Sequence, residues 1–191
     1  MDVSKRINHI SNWIKNYAQE HNFSLVIGIS GGIDSAVASA LCAKTNIKTI
    51  VVSIPIKQDT KQHNLSLEHI NWLKLKFNNI EDHTISLDNV FKSFQDTMVS
   101  FESDLAFANS RSRLRMVTLY QIAQSNNALV VGTGNKVEDF GIGFYTKYGD
   151  GGVDISPIAD CTKTQIWEMG KELGVLKNII EAKPTDGLWD D

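Results

Sequence analysis

Between Ile29 and Ala36 the chain places two hydroxyls, two adjacent glycines and a carboxylate in a row, Ser30-Gly31-Gly32-Ile33-Asp34-Ser35. The apolar run Leu25-Val26-Ile27-Gly28-Ile29 precedes it, and a helix-compatible stretch rich in alanine follows. A turn of this kind between a strand and a helix is suited to holding phosphate. The glycines let the backbone approach an anion, and the N–H groups that open the helix supply donors and partial positive charge. Ser30 and Ser35 can add hydroxyl donors, while Asp34 can hold a metal ion that bridges phosphate oxygens. The pattern is neither G-x-x-x-x-G-K-[ST], since no lysine follows the glycines, nor G-x-G-x-x-G. A lone Gly-Gly is equally a tight turn; it is the full six-residue pattern after a buried strand that favours an anion site.

A second cluster, Gly132-Thr133-Gly134-Asn135-Lys136-Val137-Glu138-Asp139, follows the apolar run Leu129-Val130-Val131. Thr133 and Glu138 can converge on the ligand of Asp34, and a carboxylate from each of two loops suits Mg²⁺, which takes one or two protein oxygens plus phosphates. Taken alone, Glu138 and Asp139 equally fit a solvated helix start favoured by the dipole. The third cluster runs from Phe144 to Ile158 and is dense in glycine, aromatic residues and charge. A long irregular segment of this make-up in a compact chain is more often functional than a plain surface loop. Lys147 can neutralise a carboxylate or phosphate, and Asp154 can accept from a ribose hydroxyl. Thr162 can cap the next helix. Lys163, near that helix start, opposes the dipole, which favours a role on phosphate.

These clusters need rigid elements to bring them together. Ile7, Ile10, Trp13, Ile14 and Tyr17 predict an amphipathic first helix. Strands are expected at Leu25 to Ile29, Thr49 to Ile54, Glu81 to Ser86 and Ala128 to Val131. Helices are expected at Ser35 to Lys44, Ser66 to Lys76, Val90 to Val99 and Leu105 to Ser125. Alternating strands and helices predict an α/β fold, a doubly wound parallel sheet with helices on both faces, in which loops at the strand C-terminal ends bind ligand. The chain has 191 residues, a formal net charge of -3 and two cysteines, Cys42 and Cys161, with no C-x-x-C pair. This suits one globular domain over 1–191, gives no basic surface for nucleic acid, and indicates neither a disulfide framework nor a cysteine zinc site. No secretory h-region or membrane-spanning run is present, so a cytoplasmic protein is expected.

The Ser-Gly-Gly-Ile-Asp-Ser pattern resembles the signature of the ATP pyrophosphatases, the adenine nucleotide alpha hydrolase-like group with a Rossmann-like three-layer fold. With Arg111-Ser112-Arg113-Leu114-Arg115-Met116, Gly132 to Asp139, Thr146 to Asp154 and Lys183-Pro184-Thr185-Asp186, it resembles the ammonia-dependent NAD synthetases. The Lys147-Tyr148-Gly149-Asp150-Gly151-Gly152 block sets that family apart from GMP synthetase, argininosuccinate synthetase and the tRNA thiolases.

The resemblance implies ATP-dependent amidation of deamido-NAD (nicotinate adenine dinucleotide) by ammonia through an acyl-adenylate, giving NAD, AMP and pyrophosphate. Gly28, Ser30, Gly31, Gly32, Asp34, Ser35, Thr133, Lys163 and Thr185 would contact ATP, with Asp34 and Glu138 on Mg²⁺. Asp34, Glu138 and Lys163 would carry the catalysis. Arg113, Lys147 and Asp154 would hold the deamido substrate, with Arg115 beside them, at a twofold interface in a homodimer. Arg111 is expected to be a surface charge. Some relatives use nicotinate mononucleotide instead, and Gly141-Ile142-Gly143 makes one loop a residue longer than in common bacterial forms. The family's C-terminal acidic loop, helices and basic tail have no counterpart here, so the natural chain is expected to continue. A more remote alternative is a nucleotide sensor without turnover.

Overall fold

The structure, a computed structural model, describes residues 2–182. Four parallel strands lie in the order β3-β2-β1-β4: β1 (Ser24–Gly28), β2 (Thr49–Ser53), β3 (Ile80–Thr84) and β4 (Ala128–Val131). The central strands read as unbroken apolar runs because both their faces are covered: every residue of β2 is buried. On one face α1 (Val3–Glu20), α2 (Ile33–Ala43), α3 (Thr60–Lys76), α6 (Lys163–Leu173) and the short α7 (Lys177–Ile180) pack around Ile27, Val51 and Val131. On the other, α4 (Asp88–Thr97) and α5 (Asp104–Ser125) pack Phe91, Met116, Leu119 and Ala123 against Val26, Ile50, Val52 and Val130. The expected doubly wound sheet is therefore observed.

The chain winds outward from β1 to β2 to β3 and then returns to the other side of β1 as β4. The loops that follow β1 and β4 consequently open at the point where the strand order reverses, where α/β sheets bind ligands. Beyond β4 the chain comes back along its free edge: Gly132 N–H donates to the Ile155 carbonyl at 2.8 Å, and Val131 and Ile155 form a parallel bridge.

Most expected elements appear within a few residues. The largest difference is α3, which starts at Thr60 rather than Ser66 because the Asp59 carboxylate caps it, accepting from the N–H groups of Lys61 (2.8 Å) and Gln62 (3.2 Å). Among the described residues no helix is long and apolar enough to cross a membrane.

Helices α2 and α6 approach closely at Gly170, where an added Cβ would lie 2.8 Å from Ile33 Cδ1 and 3.4 Å from Val37 Cγ2. Alanine meets only the movable end of Ile33 and gains helix propensity, so Gly170→Ala is expected to be neutral within about 1 kcal/mol. A leucine must push the helices apart, and Gly170→Leu is expected to cost about 1–3 kcal/mol in urea unfolding. Equal midpoints for the two variants would show that the helices do not need this close approach.

Candidate active site

The turn after β1 is laced by its own hydroxyls. Ser30 and Ser35 place their Oγ atoms 3.0 Å apart; Ser30 Oγ accepts from Gly32 N–H at 3.2 Å, and Ser35 Oγ donates to the Gly32 carbonyl at 3.0 Å. Ser35 is 2% exposed and spends its hydroxyl inside the loop. Gly31 has φ of 87°, and a Cβ there would lie 2.5 Å from the Gln62 carbonyl oxygen. The Ser30 carbonyl is drawn toward α3, accepting from Gln58 Nε2 at 3.2 Å and Gln62 Nε2 at 3.0 Å. The turn thus holds its shape at the start of α2, whose first N–H groups have no carbonyl partner within the helix.

Asp34 lies in the first turn of α2. Its Oδ1 accepts from Asn135 Nδ2 at 3.0 Å, and its Oδ2 meets Lys163 Nζ at 2.5 Å. The same Nζ lies 2.9 Å from Glu138 Oε1. Three elements therefore meet on one ammonium. Lys163 is the first residue of α6, held there by a reciprocal cap in which Thr162 Oγ1 accepts from Gln165 N–H and Gln165 Oε1 accepts from Thr162 N–H. Glu138 rides on a π-helical turn, Val137–Ile142, closed by Gly143 at φ 73° and by Phe144 N–H donating to the Glu138 carbonyl at 2.8 Å. A π turn takes one more residue per hydrogen-bonded ring than an α turn. Gly141 and Ile142 lie within this wider turn and Gly143 closes it.

Burial pushes the Asp34 carboxyl above its usual range, more than Lys163 and Asn135 pull it down, and the nearby Glu138 charge adds to the rise. Burial alone would lower Lys163, but its hydrogen bonds and charge attraction to Asp34 and Glu138 prevail and raise it above an ordinary lysine. Asp139 is likewise raised by burial and then by the charges of Asp150, Glu138 and Asp34, which makes it the neighbour of both this group and the next.

The second group lies where α5 meets the Thr146–Gly152 segment. Arg113 Nε donates to the Lys147 carbonyl at 3.0 Å, Ser112 Oγ to Asp150 Oδ1 at 2.7 Å, and Thr146 Oγ1 to Asn109 Oδ1 at 2.7 Å. Arg113 and Lys147 are thus brought together. Asp154 sits apart on the β4 edge, its oxygens accepting from Tyr120 OH at 3.0 Å and Val130 N–H at 2.7 Å. Arg115 turns to the end of β2, where its Nε donates to the Ile54 carbonyl and burial lowers its pKa to about 10. The Arg111 guanidinium lies 6.0 Å from the centre of the Phe91 ring. Gly28 ends β1, Thr133 stands in the loop directly after β4, and Thr185 lies outside the described residues.

Sequence reasoning did not single out Asn135, Gln58 or Gln62. The spacing Asn135-x-x-Glu138 is a capping pattern and was the available signal for the first; nothing local marks the glutamines.

A family model described as NAD synthase matches residues 6–191. The chain belongs to the NAD synthase family. It is 37% identical over 185 residues to the NH(3)-dependent NAD(+) synthetase of Carboxydothermus hydrogenoformans, covering 94% of this chain and 74% of that one. It is 38% identical over 197 residues to the protein of the same name in Mesoplasma florum, covering 100% and 78%. Among solved structures, the NMN synthetase from Francisella tularensis superposes with a TM-score of 0.92 at 37% identity, covering 99% of this chain and 78% of that one. The NH3-dependent NAD synthetase from Campylobacter jejuni, in complex with the nitrate ion, superposes with a TM-score of 0.86 at 27% identity, covering 95% and 77%. The NAD synthase family is one of ligases, so this chain is an enzyme of that class.

The charge arrangement predicts a separation of stability from activity. A carboxyl whose folded pKa is raised is destabilising when ionised; that penalty develops as pH rises above the unfolded value and is absent below it. Asp34→Asn is therefore expected to melt no lower than the unaltered protein at pH 7, with the two curves converging toward pH 4, while turnover falls by more than about a hundredfold. The contribution of Lys163, whose pKa is raised, is fully present at neutral pH and disappears only above the ordinary lysine range. Thermal melts across pH 3 to 11 read both effects. A variant much less stable at pH 7 would mean that Asp34 serves mainly as a structural ion-pair partner.

Proposed function

We propose that this chain catalyses the ATP-dependent amidation of deamido-NAD by ammonia, forming NAD, AMP and pyrophosphate. The observation that carries this is the convergence of Asp34, Glu138 and Lys163 beside a Ser-Gly-Gly turn at the sheet's switch point, in a chain whose relatives are NH(3)-dependent NAD(+) synthetases. Residues 1–191 are read as a single domain of this family that spans about three quarters of the length of the relatives.

The turn from Gly28 to Ser35, with Thr133, Lys163 and Thr185, holds ATP; Arg113, Lys147 and Asp154 hold the acceptor. The acceptor's nicotinate carboxylate attacks the α-phosphorus of ATP in line, and the bond to pyrophosphate breaks. Ammonia then attacks the acyl carbon, the acyl–oxygen bond to AMP breaks, and the nitrogen gives up a proton to solvent. The chain's work is positioning and charge neutralisation. On binding, Lys163 moves from its carboxylates to the phosphates, where it neutralises the negative charge that shifts toward the leaving group.

Two carboxylates sharing one cation position fit Mg²⁺, which takes few protein oxygens and completes its shell with phosphates and water. Among the described residues no group of three or more His, Cys, Asp or Glu side chains is placed to hold a metal by itself. Asp34 and Glu138 would hold it, and it supplies charge neutralisation of the phosphates.

A homodimer is supported by the apolar side chains that α5 and the turn before it expose around the arginines: Phe101, Leu105 and Val117 are 77%, 59% and 66% exposed. Two free, buried cysteines accord with a reducing cytoplasm.

The structural likeness to the Francisella NMN synthetase favours a second reading: the same reaction on nicotinate mononucleotide. Release of AMP and pyrophosphate from ATP, Mg²⁺ and ammonium, assayed in parallel with the dinucleotide and the mononucleotide, tests both. Turnover is expected with deamido-NAD; turnover confined to the mononucleotide would replace the acceptor and leave the chemistry intact. Nucleotide binding with silence on both acceptors would make the chain a sensor.

A further inference from the structure

We infer that Asn135 is a positioning residue for the adenylation site, fixing the direction of the Asp34 carboxylate and the placement of Glu138 through one side-chain amide. This depends on Asp34 and Glu138 being the two carboxylates that face the nucleotide's cation, as proposed above.

Asn135 is fully buried, and both ends of its amide are committed. Oδ1 accepts from the N–H groups of Val137 at 3.0 Å and Glu138 at 3.2 Å, starting the π turn, and Nδ2 donates to Asp34 Oδ1 at 3.0 Å. Its backbone carbonyl accepts from Asp139 N–H at 3.0 Å, so the same residue also anchors the next turn.

The amide has no alternative orientation. Rotating it by half a turn would set an NH₂ group against two N–H donors and a carbonyl oxygen against a carboxylate. With the cap fixing the oxygen, the nitrogen must face Asp34. A donor on Oδ1 leaves Oδ2 to the Lys163 ammonium, which also touches Glu138. The turn that carries Glu138 and the rotamer of Asp34, on different helical elements, are in this way set by a single planar group. Outer partners that orient a ligating carboxylate typically alter affinity or activity about 10–100-fold when removed.

Two substitutions separate this role from simple capping. Asn135→Asp keeps an acceptor for the Val137 and Glu138 N–H groups but points a second carboxylate oxygen at Asp34. Asn135→Ala removes both functions. Asn135→Asp, which buries a further carboxyl against Asp34, is expected to melt several degrees lower than the unaltered protein but to remain folded, and to lose about 10–100-fold in kcat with KM for the acceptor changed less than about twofold. Asn135→Ala is expected to weaken Mn²⁺ binding to the complex with a non-hydrolysable ATP analogue by about tenfold or more, read by electron paramagnetic resonance without turnover.

Normal kcat in Asn135→Asp, or unchanged Mn²⁺ affinity in a folded Asn135→Ala, overturns the proposal; should the alanine variant not fold, the aspartate variant decides. Asp34→Ala, measured alongside, tests the premise separately. If it retains turnover and Mn²⁺ binding, the assignment of the carboxylates fails. If it loses both while the Asn135 variants behave normally, only the positioning role fails.

Discussion

The contact on which the site's geometry depends is the Lys163 ammonium held between Asp34 and Glu138. Two carboxylates drawn out of water and toward each other repel, and both lose hydration. They stay together because one cation lies between them and because the backbone gives neither room to retreat. The raised pKa of Asp34 shows that burial there is not fully compensated. A chain selected for stability alone would have no use for this group, and a buried acid held by a specific charge partner beside a phosphate-type turn is a mark of chemistry.

Each arm of the contact is delivered by a different order of structure. Asp34 comes with β1 and α2, whose turn is fixed by Ser30, Ser35 and the positive φ of Gly31. Lys163 comes with α6, which is capped at Thr162 and laid close on α2 at Gly170. Glu138 comes from the loop after β4, on a π turn started by Asn135 and stopped by Gly143. Parallel pairing of Ile27 with Val131 fixes the offset between the first and third of these arms. A shift of one residue in that register would move the two loops by about 3.3 Å along the strands, more than the difference between a hydrogen bond and none.

Where a residue's local chemistry was self-explanatory, the sequence was legible. The alternation of buried strands and amphipathic helices led directly to the doubly wound sheet; Asp34 and Glu138 stood out by their place in glycine-rich loops after strands, and Lys163 because it opposes the dipole of its own helix. Thr162 was expected to cap its helix, and the structure finds it capping. Less legible was what depends on distant partners. Gln62 reaches the Ser30 carbonyl from a helix that starts earlier than periodicity suggested, Gln58 reaches it from just before that helix, and Asp154 is engaged by Tyr120 and Val130. The glycine-rich Gly141-Ile142-Gly143 segment was visible in the sequence, but composition does not say how the chain winds there; its hydrogen bonding makes a π turn.

The site's net charge also constrains how nucleotide and cation arrive. Asp34, Glu138 and Lys163 sum to one negative charge, with Asp139 close enough to feel it. A triphosphate brought alone to this position meets repulsion from both carboxylates, and its one attractive partner, Lys163, is already occupied. A divalent cation brought alone would have to displace an ammonium that has nowhere better to go. Under the proposed function the two together would relieve each other: the phosphates would give Lys163 a new anion, and the carboxylates it releases would be free to hold the cation. Binding of the two would then be positively coupled through the same lysine, with each raising the affinity for the other by an equal factor. The coupling needs no movement of the sheet or of α2. It requires only that a lysine side chain at a helix start, half-buried and unbranched, rotate between two sets of anions that the fold has placed within its reach.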